Sequence, residues 1–190
     1  MERSRLKRFF SSFWEVAEVI LIAFIAVYAI RTFIAQPFLV SGESMEPTYK
    51  NGEYLLIDEL TYRFRQPQRG EIIVFKYAGD EKSYFIKRII GLPGEKLTIS
   101  DDTITITDLK NPSSSMALVE TYLNQKTKTF SEKNITLSQN EYFVMGDNRS
   151  NSFDSRSWGP LKADRIKGLV RLRIFPFSRF QTITKPIYGN

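Results

Sequence analysis

Polar and apolar positions divide this chain into two unlike parts. From Phe9 to Ile34 the sequence is dominated by apolar residues, and charge enters only at Glu15, Glu18 and Arg31. The uninterrupted centre, Val19 to Ile30, is short of the roughly 20 residues that cross a bilayer. It reaches that length when Phe9–Trp14 or Thr32–Ala35 extends it and the charges fall near its ends. Arg3, Arg5, Lys7 and Arg8 precede it, against the single acid Glu2. The pattern predicts a transmembrane anchor over 9–35, with 1–8 as a cytoplasmic tail and 36–190 outside the membrane. A cleavable secretory signal would need a small-x-small site after the apolar core, and no convincing one follows. A soluble amphipathic helix is the third reading. Gln36-Pro37 is expected to end the helix.

Beyond Pro37 the period changes. Short β-branched or aromatic runs, bounded by Gly, Pro, Asn or Asp, predict strands at Phe38–Val40, Tyr54–Asp58, Glu71–Tyr77, Tyr84–Ile90, Lys96–Ile99, Thr103–Thr107, Glu141–Met145 and Gly168–Ile174. No long amphipathic helix appears among them, so the expected fold is mostly β, a barrel or sandwich-like sheet system. Residues 108–139 break the rhythm. Asn111-Pro112-Ser113-Ser114-Ser115 and the polar stretch 124–133 are turn-rich and predict a small insert within one domain.

Composition then restricts the chemistry. The chain has no cysteine and no histidine, which excludes disulfides, thiol catalysis and the usual zinc sites. A serine nucleophile here would need Lys, Asp, Glu or an amine as its base. The net charge is +6, of which residues 1–35 carry +2 and the remaining 155 residues +4. That is mild, and it argues against a nucleic-acid-binding surface.

Three segments carry candidate chemistry. Ser44 follows a predicted strand and Gly42, a setting that also suits an ordinary turn serine. Lys87 lies on a predicted strand, where Phe85, Lys87 and Ile89 share one face and Ile86, Arg88 and Ile90 the other. A lysine between Phe85 and Ile89 is partly desolvated, which lowers its pKa, and the nearby Arg88 is expected to push the same way. A solvated or snorkelling strand lysine is the competing reading. The third segment, Gly146–Arg156, reads as a polar turn in which Asp147, Arg149, Asp154 and Arg156 form a self-contained ion-pair network.

Together these segments resemble the bacterial-type type I signal peptidases. Gly42–Thr48 matches Gly-x-Ser-Met-x-Pro-Thr, Tyr84–Gly94 matches Tyr-x-x-Lys-Arg-x-x-Gly-x-Pro-Gly, and Gly146–Arg156 matches Gly-Asp-Asn-Arg-x-x-Ser-x-Asp-Ser-Arg. The order is that of the family, and Gly70–Val74 resembles the strand before its lysine box.

The resemblance implies a membrane-bound Ser/Lys endopeptidase that removes signal peptides from exported preproteins after a small-x-small motif. It implies Ser44 as nucleophile and Lys87 as general base, with Ser152 hydrogen-bonded to the lysine. Asp147, Arg149, Asp154 and Arg156 fall at supporting positions, and Phe38, Val40 and Ile86 at substrate-pocket positions. The Ser44 N–H is the implied oxyanion donor. Where some members place a second donor serine this chain has Gly42, so a backbone N–H or Ser41 is left to replace it. The implied enzyme is a monomer without metal or cofactor; its partners are preproteins and the bilayer, on which Phe153, Trp158 and Phe175–Phe177 are candidate contacts. Two rival readings are a self-cleaving Ser/Lys module of the kind found in certain repressors and a basic β-barrel that binds single-stranded nucleic acid. The apolar N-terminus argues against both.

Overall fold

The structure, a computed structural model, describes residues 2–33, 35–124, 127–129, 131–186 and 188. Position 1 of the expected tail, 34 of the expected anchor and 125, 126 and 130 of the expected insert therefore lie outside the described residues. A helix, α1, runs Glu2–Phe33, and its described side chains from Phe13 to Tyr28 are exposed almost all round. Among the described residues no helix is long and apolar enough to cross a membrane.

The remaining elements follow in chain order: β1 (Ala35–Leu39), β2 (Tyr54–Asp58), α2 (Thr61–Phe64), β3 (Ile72–Lys76), β4 (Tyr84–Gly91), β5 (Glu95–Ser100), β6 (Thr103–Asp108), β7 (Asn111–Ala117), β8 (Lys133–Thr136), β9 (Glu141–Met145), α3 (Ser155–Trp158), β10 (Leu161–Lys162), β11 (Ile166–Phe175) and β12 (Gln181–Thr182). The principal sheet has the order β1-β2-β11-β3-β4-β9-β10, with β12 added against β11. A second sheet has the order β7-β6-β5-β8. All the pairings are antiparallel.

The eight predicted strands are all present, within two or three residues at their ends. The serine-rich run read as a turn is instead a strand, β7, paired to β6 through Ile106↔Met116 and Thr107↔Ser115. Its side chains are mostly exposed on both faces, so no alternation marks it. Pro37 also differs from expectation. It lies within β1, opposite Leu56, on an edge strand where its missing N–H costs no ladder bond.

Two apolar clusters place the functional residues. Val40, Met45, Tyr49, Leu55, Ile57, Ile72, Val74 and Val170 form one, with Phe38 and Ile86 packed against it. Ile73, Phe75, Ile89, Tyr142, Val144 and Leu161 form the other, on the opposite face of β3 and β4. Residues 72–75 of β3 are buried on both faces, which fits their continuous apolar run. β4 is therefore fixed in register by the strand beside it: Ile73 faces Lys87 and Ile72 faces Arg88.

Candidate active site

Ser44 sits in the turn that follows β1. Val40 and Gly52 exchange backbone contacts across this turn, with Val40 N donating to Glu53 O and Gly52 N to Val40 O, each at 2.9 Å. Buried Met45 and Tyr49 anchor its far side. Gly42 has φ +96°, a conformation that favours glycine, and open space where a Cβ would be.

The Gly146–Arg156 loop is fastened to this turn. Asn148 N donates to the Ser44 carbonyl at 3.0 Å, Asn148 Nδ2 to the Glu43 carbonyl at 3.2 Å, and Asn151 Nδ2 to Glu43 Oε2 at 3.2 Å. A Cβ at Gly146 would lie 2.3 Å from both the Ser44 carbonyl oxygen and Ser152 Oγ, so only glycine permits the approach.

Lys87 Nζ lies 2.6 Å from Ser44 Oγ and donates to the Ile86 carbonyl at 3.0 Å. The residue is 4% exposed, and its ammonium lies 5.5 Å from the Phe85 ring centroid. Burial pushes its pKa down to about 8, while the charges of Asp154 and Asp147 oppose the fall. Arg88 is not a cause of this shift. The pleat carries it to the other side of β4, where Asp147 accepts from its Nε at 2.8 Å and its Nη2 at 2.6 Å. Its Nη1 donates to the Gly70 carbonyl at 2.9 Å. Although burial opposes its charge, the Asp147 contact raises the Arg88 pKa.

The four charged residues of the loop do not form a self-contained network. Asp154 and Arg156 pair with each other, through Nε–Oδ1 and Nη2–Oδ2 contacts of 2.9 Å. Asp154 also accepts from Gly146 N at 3.0 Å; burial works against its carboxylate, but these bonds hold its pKa below the usual range. Asp147 instead pairs with Arg88 and accepts from Thr48 Oγ1 at 2.5 Å. Arg149 reaches out to Glu120 Oε2 and Thr129 Oγ1, each 2.7 Å from its Nη1. Arg88, Thr48, Glu120 and Thr129 thus complete the site and were not foreseen, since their partners lie 20 to 99 residues away in sequence. A buried strand arginine beside an anchored lysine was the one available signal.

Two expectations change. Ser152 Oγ is buried and meets no hydrogen-bond partner among the described residues, so it is not bonded to Lys87. Its hydroxyl helps lower the pKa of Asp154, although no bond of hydrogen-bond geometry closes between them. Gly42 N–H donates to Asn51 Oδ1 at 3.0 Å, which removes it as a free oxyanion donor.

A cleft of about 700 Å³ opens on the dyad. Phe38, Val40 and Ile86 line it together with Leu55, Val74 and Tyr84, and Ser41 and Gly42 stand at its rim beside Ser44. The three pocket candidates are therefore core and cleft residues at once. On one wall, β1 pairs only with β2; on the other, Tyr84–Lys87 pair only with β3, because β9 joins β4 from Arg88 onward. Among the described residues, no three His, Cys, Asp or Glu side chains converge as a metal site would require.

Residues 13–175 match the family model described as signal peptidase, peptidase S26. The chain is similar to the probable signal peptidase I-2 of Synechocystis sp., at 33% identity over 90% of this chain and 77% of that protein. It is similar to signal peptidase IB of Staphylococcus aureus strain Mu50, at 32% identity over 85% of this chain and 89% of that one. A crystal structure of a signal peptidase I from Enterococcus faecalis V583 matches with 30% identity and a TM-score of 0.46, over 55% of this chain and 97% of that structure.

Proposed function

The chain belongs to the signal peptidase family, peptidase S26, and from that premise we propose that it cleaves signal peptides from preproteins with Ser44 as nucleophile and Lys87 as general base. The observation that carries the assignment is the 2.6 Å contact between Ser44 Oγ and a buried Lys87 that no carboxylate directly binds. A lysine near pKa 10.4 is protonated at neutral pH and cannot take a proton; one lowered to about 8 is partly neutral there.

The reaction then proceeds in two stages. Ser44 Oγ attacks the scissile carbonyl as Lys87 Nζ accepts its proton. The tetrahedral intermediate collapses to an ester on Ser44, and Lys87 returns the proton to the leaving amine. Water next attacks the ester, Lys87 again taking the proton, and Ser44 is released. The Ser44 N–H serves the developing oxyanion, a type of contact worth about 3–4 kcal/mol in another hydrolase. With Gly42 N–H committed to Asn51, Ser41 is the remaining candidate for a second donor. Asp147, Arg149, Asp154 and Arg156 hold the loop that fastens the nucleophile's turn, and Ser152 packs beside Gly146.

The unpaired edges of β1 and β4 suit a substrate that adds as an extended strand between them. Phe38, Val40 and Ile86 then fill the floor of the cleft and favour small side chains before the scissile bond. The N-terminal segment 9–35 is the membrane anchor in this reading, with 1–8 cytoplasmic and 36–190 the extracytoplasmic catalytic domain, acting as a monomer. Its support is an apolar α1 surface, Val19 to Val27, that is exposed around the helix and packs on nothing among the described residues except where it enters β1. Residues 108–139 contribute β7 and β8, and through Glu120 and Thr129 they brace Arg149.

The test is cleavage of a secretory preprotein by the detergent-solubilised full chain, with the N-terminus of the product sequenced. One cut after a small-x-small motif is expected. Ser44→Ala and Lys87→Ala each reduce the rate by about a thousandfold or more. Undiminished cleavage by Lys87→Ala would remove the dyad.

A further inference from the structure

Behind the catalytic turn, on the side of β4 that carries Arg88, lies a second cavity of about 520 Å³. Four cations line it, Arg88, Arg173, Arg179 and Lys185, and no carboxylate does. The two acids that pair with these cations stand behind them: Asp147 holds Arg88, and Glu53 is shared by Arg173 and Arg179. Both carboxylates are nearly closed off from water. Lys185 has only a neutral partner, Gln68 Oε1 at 2.5 Å. The cavity therefore presents two more positive charges than its paired acids neutralise. Thr48, Gln181, Thr182 and Thr184 add hydrogen-bonding side chains to its wall. Cations in a pre-formed concavity with hydroxyls and amides are the chemistry that recognises a phosphate group.

What adjoins the cavity distinguishes a soluble anion from a lipid. Arg179 belongs to a single turn, Phe177–Arg179, flanked by aromatic residues. Phe177 is 81% exposed and Phe180 61%, and Phe175 and Tyr54 stack edge-on behind Phe177. An apolar knuckle of this kind enters the boundary between headgroups and acyl chains, and it would place Arg179 at headgroup depth.

We infer that the Arg173/Arg179/Lys185 cavity is a binding site for the phosphate of an anionic phospholipid, with Phe177 and Phe180 seated in the adjoining acyl region. The site rests on the reading of 36–190 as a domain held at a membrane surface, and it lies outside the machinery that performs cleavage. One lipid phosphate bound there would fix the rotation of the catalytic domain against the bilayer.

The experiment uses the full chain in a neutral detergent, with lipid retention counted by native mass spectrometry. Phosphatidylglycerol and phosphatidylcholine of identical acyl chains are supplied separately, and inorganic phosphate is added as a competitor. The wild-type chain is expected to retain phosphatidylglycerol about tenfold better than phosphatidylcholine. Arg179→Glu with Lys185→Glu removes most of that preference; both side chains are exposed enough to change without opening the core. Phe177→Ala weakens retention of both lipids. Basic residues near α1 attract anionic lipid equally in every variant, so the difference between variants is the readout. Equal retention of the two lipids, or a preference unchanged in the double variant, would overturn the site. Inorganic phosphate binding as tightly as the lipid, with Phe177→Ala inert, would overturn the lipid assignment. Cleavage of a short soluble peptide is measured alongside, so that loss of the proposed lipid site and loss of the proposed peptidase activity are told apart.

Discussion

Lys87 and Arg88 are neighbours on one strand and equally withdrawn from water, at 4% and 3% exposed. Their surroundings give them opposite fates. Arg88 meets both oxygens of Asp147 and the Gly70 carbonyl, and its charge is held. Lys87 meets a hydroxyl and a carbonyl, with its nearest carboxylates acting only at a distance, and its pKa falls to about 8. A buried cation becomes a base when its counterion is withheld, and a structural strut when it is supplied.

The comparison breaks most visibly at Arg88. Replacing it with alanine strands Asp147 in the interior and is expected to cost about 3–5 kcal/mol in urea unfolding. A loss under about 1 kcal/mol would mean that the pair is not the strut described. Lys87→Met is expected to have the reverse sign. With a folded pKa of about 8 against 10.5 unfolded, the unfolded chain binds more protons between those values, so wild-type stability rises with pH across that window. Below pH 8 the full cost of burying the charge is present, and Lys87→Met removes up to about 3 kcal/mol of it. The gain fades between pH 8 and 10.5. Unfolding at pH 6.5 and pH 10 checks both the sign and the window.

Smaller effects sharpen the contrast. If neutral Lys87 is the base, kcat/KM climbs with pH through about 8. Asp154→Asn removes the largest charge that sustains the ammonium, so the climb moves to lower pH, by less than about one unit. The same change costs stability, because Arg156 and Gly146 N lose their acceptor. An unmoved profile would detach Asp154 from the base.

Much of this was legible in the sequence, and the reason is local. Strand alternation places Lys87 and Arg88 on opposite faces, and the three motifs bring Ser44, Lys87 and the Gly146–Arg156 loop into one proposal. What alternation does not give is the partner across each face. The expectation that Arg88 would depress Lys87 came from their adjacency in sequence, and it fails because the pleat turns Arg88 toward Asp147, 59 residues away. Arg149 likewise finds Glu120 in a stretch whose polar composition read as loop. β7 escaped notice because an exposed strand of Asn, Pro and Ser has no buried face to impose a period. Gly42 was offered as an oxyanion donor before its N–H could be seen committed to Asn51.

The central claim is that Lys87 is a buried lysine able to shed its proton near neutral pH. Lysine labelled with carbon-13 at Cε, followed by NMR through a pH titration of the full chain and assigned by the signal missing in Lys87→Met, reads that ionisation alone. A midpoint near 8 is the result predicted. A midpoint that stays near the ordinary lysine value of 10.5 would contradict it.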